Sequence, residues 1–243
     1  MHLYQLQQGI RSMRMLMLML VTMLPIVALA NSAETRTESI DAATKNTAEL
    51  VQTQRKPWLV SYNQDAITLY KREHKDGLVE IRVHADVKTT FSGFLHLFED
   101  TKHVSKWLHN VDSTKVLSQI SMNENIVYTT FAAPWPALDR DMVTYSRYYQ
   151  QGKRLVLEIR DASEYLAKQS GFIRITQVKS RWELTKLEDG QVFIMYTAFA
   201  DPGGALPDWL VNQLAIDGAI ETFKGLKREI QHYQHLSHPN IVD

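Results

Sequence analysis

From Ala66 onward the chain runs mostly in short stretches that alternate apolar and polar side chains, interrupted by two segments of helical period. Ala66-Ile-Thr-Leu-Tyr-Lys-Arg and Leu78-Val-Glu-Ile-Arg-Val-His-Ala-Asp-Val keep the two-residue period of a strand. Asp76-Gly77 between them predicts a hairpin turn. Phe91, Phe94, Leu95 and Phe98 then recur at helical steps behind Thr90, a residue type that caps helix N-termini. A second short helix is expected over 103–107. Strand-like runs follow at 113–121, 125–132, 141–151, 154–160, 171–178, 180–188 and 191–200. Gln151-Gly152 and Asp189-Gly190 read as turns between them.

The last segment has a different pattern. Pro202, Gly203 and Gly204 end the final strand, because proline has no N–H and glycine tolerates turn dihedrals. Pro207 and Asp208 suit the first turn of a helix. Val211, Ala215, Gly218, Thr222, Leu226, Ile230 and Tyr233 then recur at steps of three and four, and Leu210, Leu214 and Phe223 widen the stripe. One amphipathic helix of ~40 Å, continuing to about His235, is expected at 1.5 Å per residue.

Strands, a helical pair, seven more strands and a long helix make an antiparallel α+β pattern. One short helix pair cannot cover about nine strands. A curved sheet folded round the last helix would bury both its concave face and the helix stripe.

The N-terminal segment reads as a secretory signal, residues 1–30. Arg11 and Arg14 precede a ten-residue apolar run, and Ala28-Leu29-Ala30 offers small residues for cleavage. Residues 31–50 read as a flexible leader or the start of a short helix, and 48–56 as a helix ended by Pro57. A folded domain over 51–236 and a tail over 237–243 complete the chain. Removing residues 1–30 takes away two arginines and no acid, so the mature formal charge is −2. That balance gives no basic field for nucleic acid. With no cysteine, a disulfide framework, a thiolate metal site and a cysteine nucleophile are excluded.

Three segments, in order, resemble START domains, the steroidogenic-acute-regulatory-related lipid transfer family. They are Pro134-Trp-Pro-Ala-Leu-Asp-Arg140-Asp141-Met-Val, Gly171-Phe-Ile-Arg174 with Arg181-Trp182-Glu-Leu, and Asp201-Pro-Gly-Gly-Ala-Leu-Pro-Asp-Trp-Leu-Val-Asn. The resemblance covers roughly residues 51–235. It implies a helix-grip (START/Bet v 1-like) fold with a cavity between sheet and helix, here in a secreted bacterial member. Some sterol-binding members pair a buried acid and base on adjacent inner strands. The matching acid position reads Tyr128-Thr129-Thr130, with no acid, and Arg147 is one residue off the matching base, which would reverse its face.

A lipid cavity needs apolar walls and few polar anchors. Candidate lining and entrance residues are Trp107, Phe131, Trp135, Arg140, Tyr145, Phe172, Met195, Phe199, Trp209, Leu210 and Leu214. Trp135 and Trp209 sit among prolines, where a large ring suits an entrance or a membrane interface. Arg140 has two readings. It could bind a headgroup or acidic ligand at the mouth, or with Asp141 it could fix the loop. Charged pairs beside proline loops commonly set loop geometry, so the second is preferred. Gly218 and Gly225 serve either close packing or a helix that bends.

His232, His235 and His238 share a helix face, but no nearby carboxylate or fourth ligand completes a site. A frayed polar helix end is expected there. No phosphate loop or serine elbow is present. The leading expectation is therefore a secreted, periplasmic, monomeric carrier for a lipid-class ligand, without cofactor or metal and with transient membrane contact. The alternatives are a polyketide cyclase or aromatase of the same superfamily, with Glu158, Asp161, Arg174 and Tyr196 as possible polar groups, or a scaffold with a vestigial cavity.

Overall fold

A computed structural model describes residues 56–74, 76–133 and 137–243. The signal segment, the leader and Trp135 lie outside the described residues. Ten strands and two α-helices form the described fold. The strands are β1 (Leu59–Gln64), β2 (Ile67–Glu73), β3 (Val79–Val87), β4 (Val111–Ser121), β5 (Glu124–Phe131), β6 (Asp139–Gln151), β7 (Arg154–Asp161), β8 (Phe172–Arg174), β9 (Thr176–Lys186) and β10 (Val192–Asp201). The helices are α1 (Phe91–Glu99) and α2 (Asp208–Glu229). Among the described residues, no helix is long and apolar enough to cross a membrane.

One sheet carries all ten strands in the order β1-β2-β3-β10-β9-β7-β6-β5-β4. Neighbours along this path are antiparallel, and β8 adds a short parallel pairing to β6. The curved antiparallel sheet with a C-terminal helix is the fold class the pattern predicts. Thr90 caps α1 as expected, its Oγ1 accepting the Gly93 amide at 2.9 Å.

Three boundaries differ from expectation. β1 was not anticipated, because its Leu59 and Val60 are exposed and give no inward alternation. The run over 171–188 breaks at Ile175 rather than Lys179, leaving β8 only three residues. Finally, α2 spans 22 residues, ~33 Å, and stops at Glu229. Beyond it Ile230–His232 tighten into a 3-10 turn, and Tyr233 Oη donates to Asp100 Oδ2 at 2.8 Å.

The chain end is packed, not frayed. His238 is buried, its amide donates to Ser92 Oγ at 3.1 Å, and its Nε2 lies 3.2 Å from Glu99. The Ser92 amide donates to Asp243 at 3.0 Å. Among the described residues no group of three or more potential metal-binding side chains assembles.

Rows of cross-strand neighbours define the two faces. Tyr62, Leu69, Val83, Tyr196, Trp182, Leu157 and Tyr148 pair in succession across seven strands and face α2. The next row, Ile67, Ala85, Ile194, Leu184 and Leu155, is fully enclosed. Phe94 and Phe98 of α1 and Phe223 of α2 close over Trp182, with ring centroids at 5.7, 5.1 and 5.4 Å. The other face is a ladder of ion pairs: Arg72–Glu80, Arg181–Glu158, Arg181–Glu183 at 3.1 Å and Arg147–Glu124 at 3.3 Å. Arg147 thus lies on the outer face, the side opposite to that of an inner base.

Candidate ligand-binding site

Helix α2 fills only part of the concave face. Its second half is apolar and packed, with Ile216, Ala219, Ile220, Phe223 and Leu226 buried. Its first half is apolar and uncovered. Trp209 is 71% exposed, Leu214 and Ala215 are exposed, and Leu210 and Val211 are half-buried. Asn212 ties this end of the helix to the β2–β3 turn, accepting the Val79 amide at 2.9 Å and donating to the Gly77 carbonyl at 3.0 Å. The helix start is therefore held at the β3 side of the sheet.

The sheet rows beyond the aromatic floor face the same way as that floor. One row is Ile81, Ala198, Ser180, Ile159 and Ser146. The next is Asp161, Thr144, Val127 and Val116, and then come Met142 with Thr129 and Arg140 with Phe131. Ala198, Ile159, Val127, Met142 and Phe131 keep accessible surface although they face inward, and Val116 is exposed. The result is an apolar strip across β4–β7, β9 and β10, with hydroxyls of Thr114, Thr129, Thr144 and Ser180 interspersed.

The sequence candidates divide on this geometry. Phe131 and Arg140 lie on the strip, and Leu210, Leu214 and Trp209 on the uncovered half of α2. Trp107 is in the packed core, 4.8 Å from the Phe98 ring, with its backbone against Gly225. Four candidates are corrected. Tyr145, Met195 and Phe199 alternate to the outer face, and Phe172 pairs with Asp139 on that same side. The Phe199 ring lies tilted against His74 with centroids 4.2 Å apart, and burial and the hydrogen bond with Glu124 push the Tyr145 phenol up. Strands that are apolar on both faces gave no parity signal. Ala198, Ile159, Val127 and Val116 share the inward side and were not among the candidates.

The groups considered for acid–base chemistry do not converge. Glu158 is on the outer face with Arg181. Arg174 donates to Asp141 from Nε and Nη2, each at 2.8 Å, and to the Ser163, Leu166 and Ala167 carbonyls. Burial disfavours the Asp161 carboxylate, but the Ser163 and Val178 amides at 2.7 and 3.3 Å outweigh it and hold its pKa below the usual range. Tyr196 keeps part of its ring accessible while its hydroxyl end is enclosed, and this burial pushes its pKa up to about 12 against the opposing hydrogen bond with Ser180. It is a neutral phenol at physiological pH.

A group with a raised folded pKa contributes stability below its unfolded pKa and loses it as pH rises through the folded value. Stability should therefore fall between about pH 10 and about pH 12 as Tyr196 ionises. Urea unfolding across that window should show a shallower fall for Tyr196→Phe than for the wild type. Parallel slopes would mean that the phenol is not held neutral.

A family model, the START domain, matches residues 38–235. The chain belongs to the START domain family. Human phosphatidylcholine transfer protein is 28% identical over 191 residues, covering 72% of this chain and 85% of that protein. An uncharacterized protein of Pseudomonas aeruginosa is 26% identical over 172 residues, 70% of this chain and 85% of its own length. Among solved structures, a STAR-related lipid transfer protein fragment from Xanthomonas axonopodis superposes with a TM-score of 0.66 at 26% identity, covering 72% of this chain and 98% of that fragment. Human StAR-related lipid transfer protein 5 shares the fold, with a TM-score of 0.64 at 14% identity, covering 82% of this chain and 99% of its own.

Proposed function

We propose that this START domain is an exported, periplasmic carrier that holds one lipid between the concave strip and the first half of α2. The observation that supports the reading is the accessible apolar surface kept both by inward-facing strip residues and by the first half of α2. Inward-facing Ala198, Ile159, Val127 and Met142 are only half-buried and keep accessible apolar surface. Burying such surface yields about 25 cal/mol per Å², and a ligand chain can supply the missing cover. Export rests on residues 1–30, and a mature N-terminus near Asn31 would be read by sequencing the periplasmic protein. Trp209, Leu138 and Leu214 are exposed at or near the α2 entrance and suit a transient bilayer contact by a monomer.

The primary test is mass spectrometry of organic extracts of the protein purified without detergent. A defined lipid near one-to-one stoichiometry is expected. Protein that emerges empty and remains so with phospholipids, sterols and fatty acids would sink the carrier reading. A second test fills the strip. Ala198→Trp should lower lipid occupancy at least about tenfold, a loss of about 1.4 kcal/mol, while the thermal midpoint changes little. Unchanged occupancy would place the ligand elsewhere.

A further inference from the structure

Arg140 and Asp141 are consecutive in β6, so their side chains leave opposite faces of the sheet. Asp141 points outward and is fully engaged by Arg174. Arg140 therefore loses the partner that would have fixed the loop. It sits on the helix-facing side, level with Phe131 on β5 and Ile173 on β8. It is only 8% exposed, and its Nη1 donates to its own chain at the Leu138 carbonyl. Among the described residues no carboxylate lies within salt-bridge distance of it, whereas Arg72, Arg147, Arg174 and Arg181 each have one.

A buried guanidinium without a counter-charge is costly, and it always carries its charge. The neighbouring turn brings backbone rather than a side chain up to it. Gly204, at φ +82°, offers no side chain toward Arg140, and a Cβ there would lie 3.6 Å from Nη2. Both Gly203 and Gly204 pack against Ile173, where added Cβ atoms would lie 3.0 and 3.1 Å from its side chain. The guanidinium thus stands at the end of the apolar strip nearest the segment entering α2, its Nη2 facing a glycine backbone.

We propose that Arg140 anchors the anionic head of an acidic amphiphile, a phosphate monoester or a carboxylate, whose hydrocarbon lies along the strip toward Ile159 and Ala198. This rests on the carrier reading and narrows its ligand class. A guanidinium fork suits both head chemistries through paired N–H donors.

The test compares matched probes on the purified protein by native mass spectrometry and competition: oleic acid against oleyl alcohol, and dioleoyl phosphatidic acid against dioleoylglycerol. The wild type should prefer each acid over its neutral partner by about tenfold or more, as charged hydrogen bonds allow. Arg140→Gln should erase that ratio and Arg140→Lys should keep part of it. Equal affinities for acid and neutral probes in the wild type, or a ratio that survives in Arg140→Gln, would overturn the anchor while leaving the carrier intact. Binding of none of the four probes would sink both. Full occupancy of the site by millimolar inorganic phosphate, with no gain from an acyl chain, would assign it to a soluble anion and overturn the amphiphile. In case Arg140→Gln does not fold, the wild-type ratio and Arg140→Lys decide.

Discussion

Replacing Arg174 by methionine should cost about 3–5 kcal/mol of folding stability, the range for breaking a buried ion pair from one side. The Arg174 and Asp141 side chains are 3% and 1% exposed, and the guanidinium grips both carboxylate oxygens. Its remaining donors hold the Ser163, Leu166 and Ala167 carbonyls, so the same change releases the 162–171 connection that lies over this part of the sheet. Asp141→Ala should cost somewhat less, because those three carbonyls still satisfy part of the stranded cation. The double variant Asp141→Leu with Arg174→Met should recover stability relative to Arg174→Met alone, since no buried charge remains. Urea midpoints read by circular dichroism measure all three. Losses under about 1 kcal/mol for both single variants would mean that the pair behaves like an exposed one.

The ion pair also explains why Arg140 does not pair with its neighbour Asp141. The sequence places an arginine beside an aspartate and invites pairing between them. Backbone geometry forbids it, because neighbours in a strand diverge, and the partner of Asp141 comes from β8, 33 residues later. Local sequence cannot show that choice. It depends on β8 pairing in parallel with β6, a contact that no hairpin signal predicts.

The same distinction separates what the sequence reveals from what it hides. Alternation locates most strands, and the stripe on the last segment locates α2. Facing is hidden where both sides of a strand are apolar. On β10, Val192, Ile194, Tyr196 and Ala198 face the core, but Phe193, Met195 and Phe199 are as hydrophobic. Their outward side is packed too: Phe193 meets the His84 ring at 5.3 Å, and Phe199 meets His74. On β6 the outer Tyr145 has similar cover from Glu124, while the inner Met142 faces the strip. Only the register of β9 and β10 fixes parity, and register is set by tertiary pairing. Arg147 is the exception. Its offset from the matching base position correctly implied an outward side chain.

Gly225→Ala should destabilise the protein by about 2 kcal/mol although alanine is the better helix former by about 1 kcal/mol. A Cβ at Gly225 would lie 2.5 Å from the Trp107 carbonyl oxygen and 2.8 Å from its Cα. These are backbone atoms, and they have little freedom to retreat. The 103–111 segment is clasped to α2 on both sides of the contact: the His109 amide donates to Thr222 Oγ1 at 3.1 Å, and Arg228 Nη2 donates to the Lys106 carbonyl at 2.7 Å. Forcing them apart carries an overpacking strain of about 3 kcal/mol, the upper part of the usual range. Gly218 supplies the control. Its Cβ would stand 3.6 Å from His109 Cδ2, an ordinary contact, so Gly218→Ala should stabilise by up to about 1 kcal/mol. Opposite shifts of the thermal midpoint would assign Gly225 to close packing. Equal stabilisation by both alanines would mean that the 103–111 segment yields easily, and would favour a helix whose glycines serve bending and ligand entry.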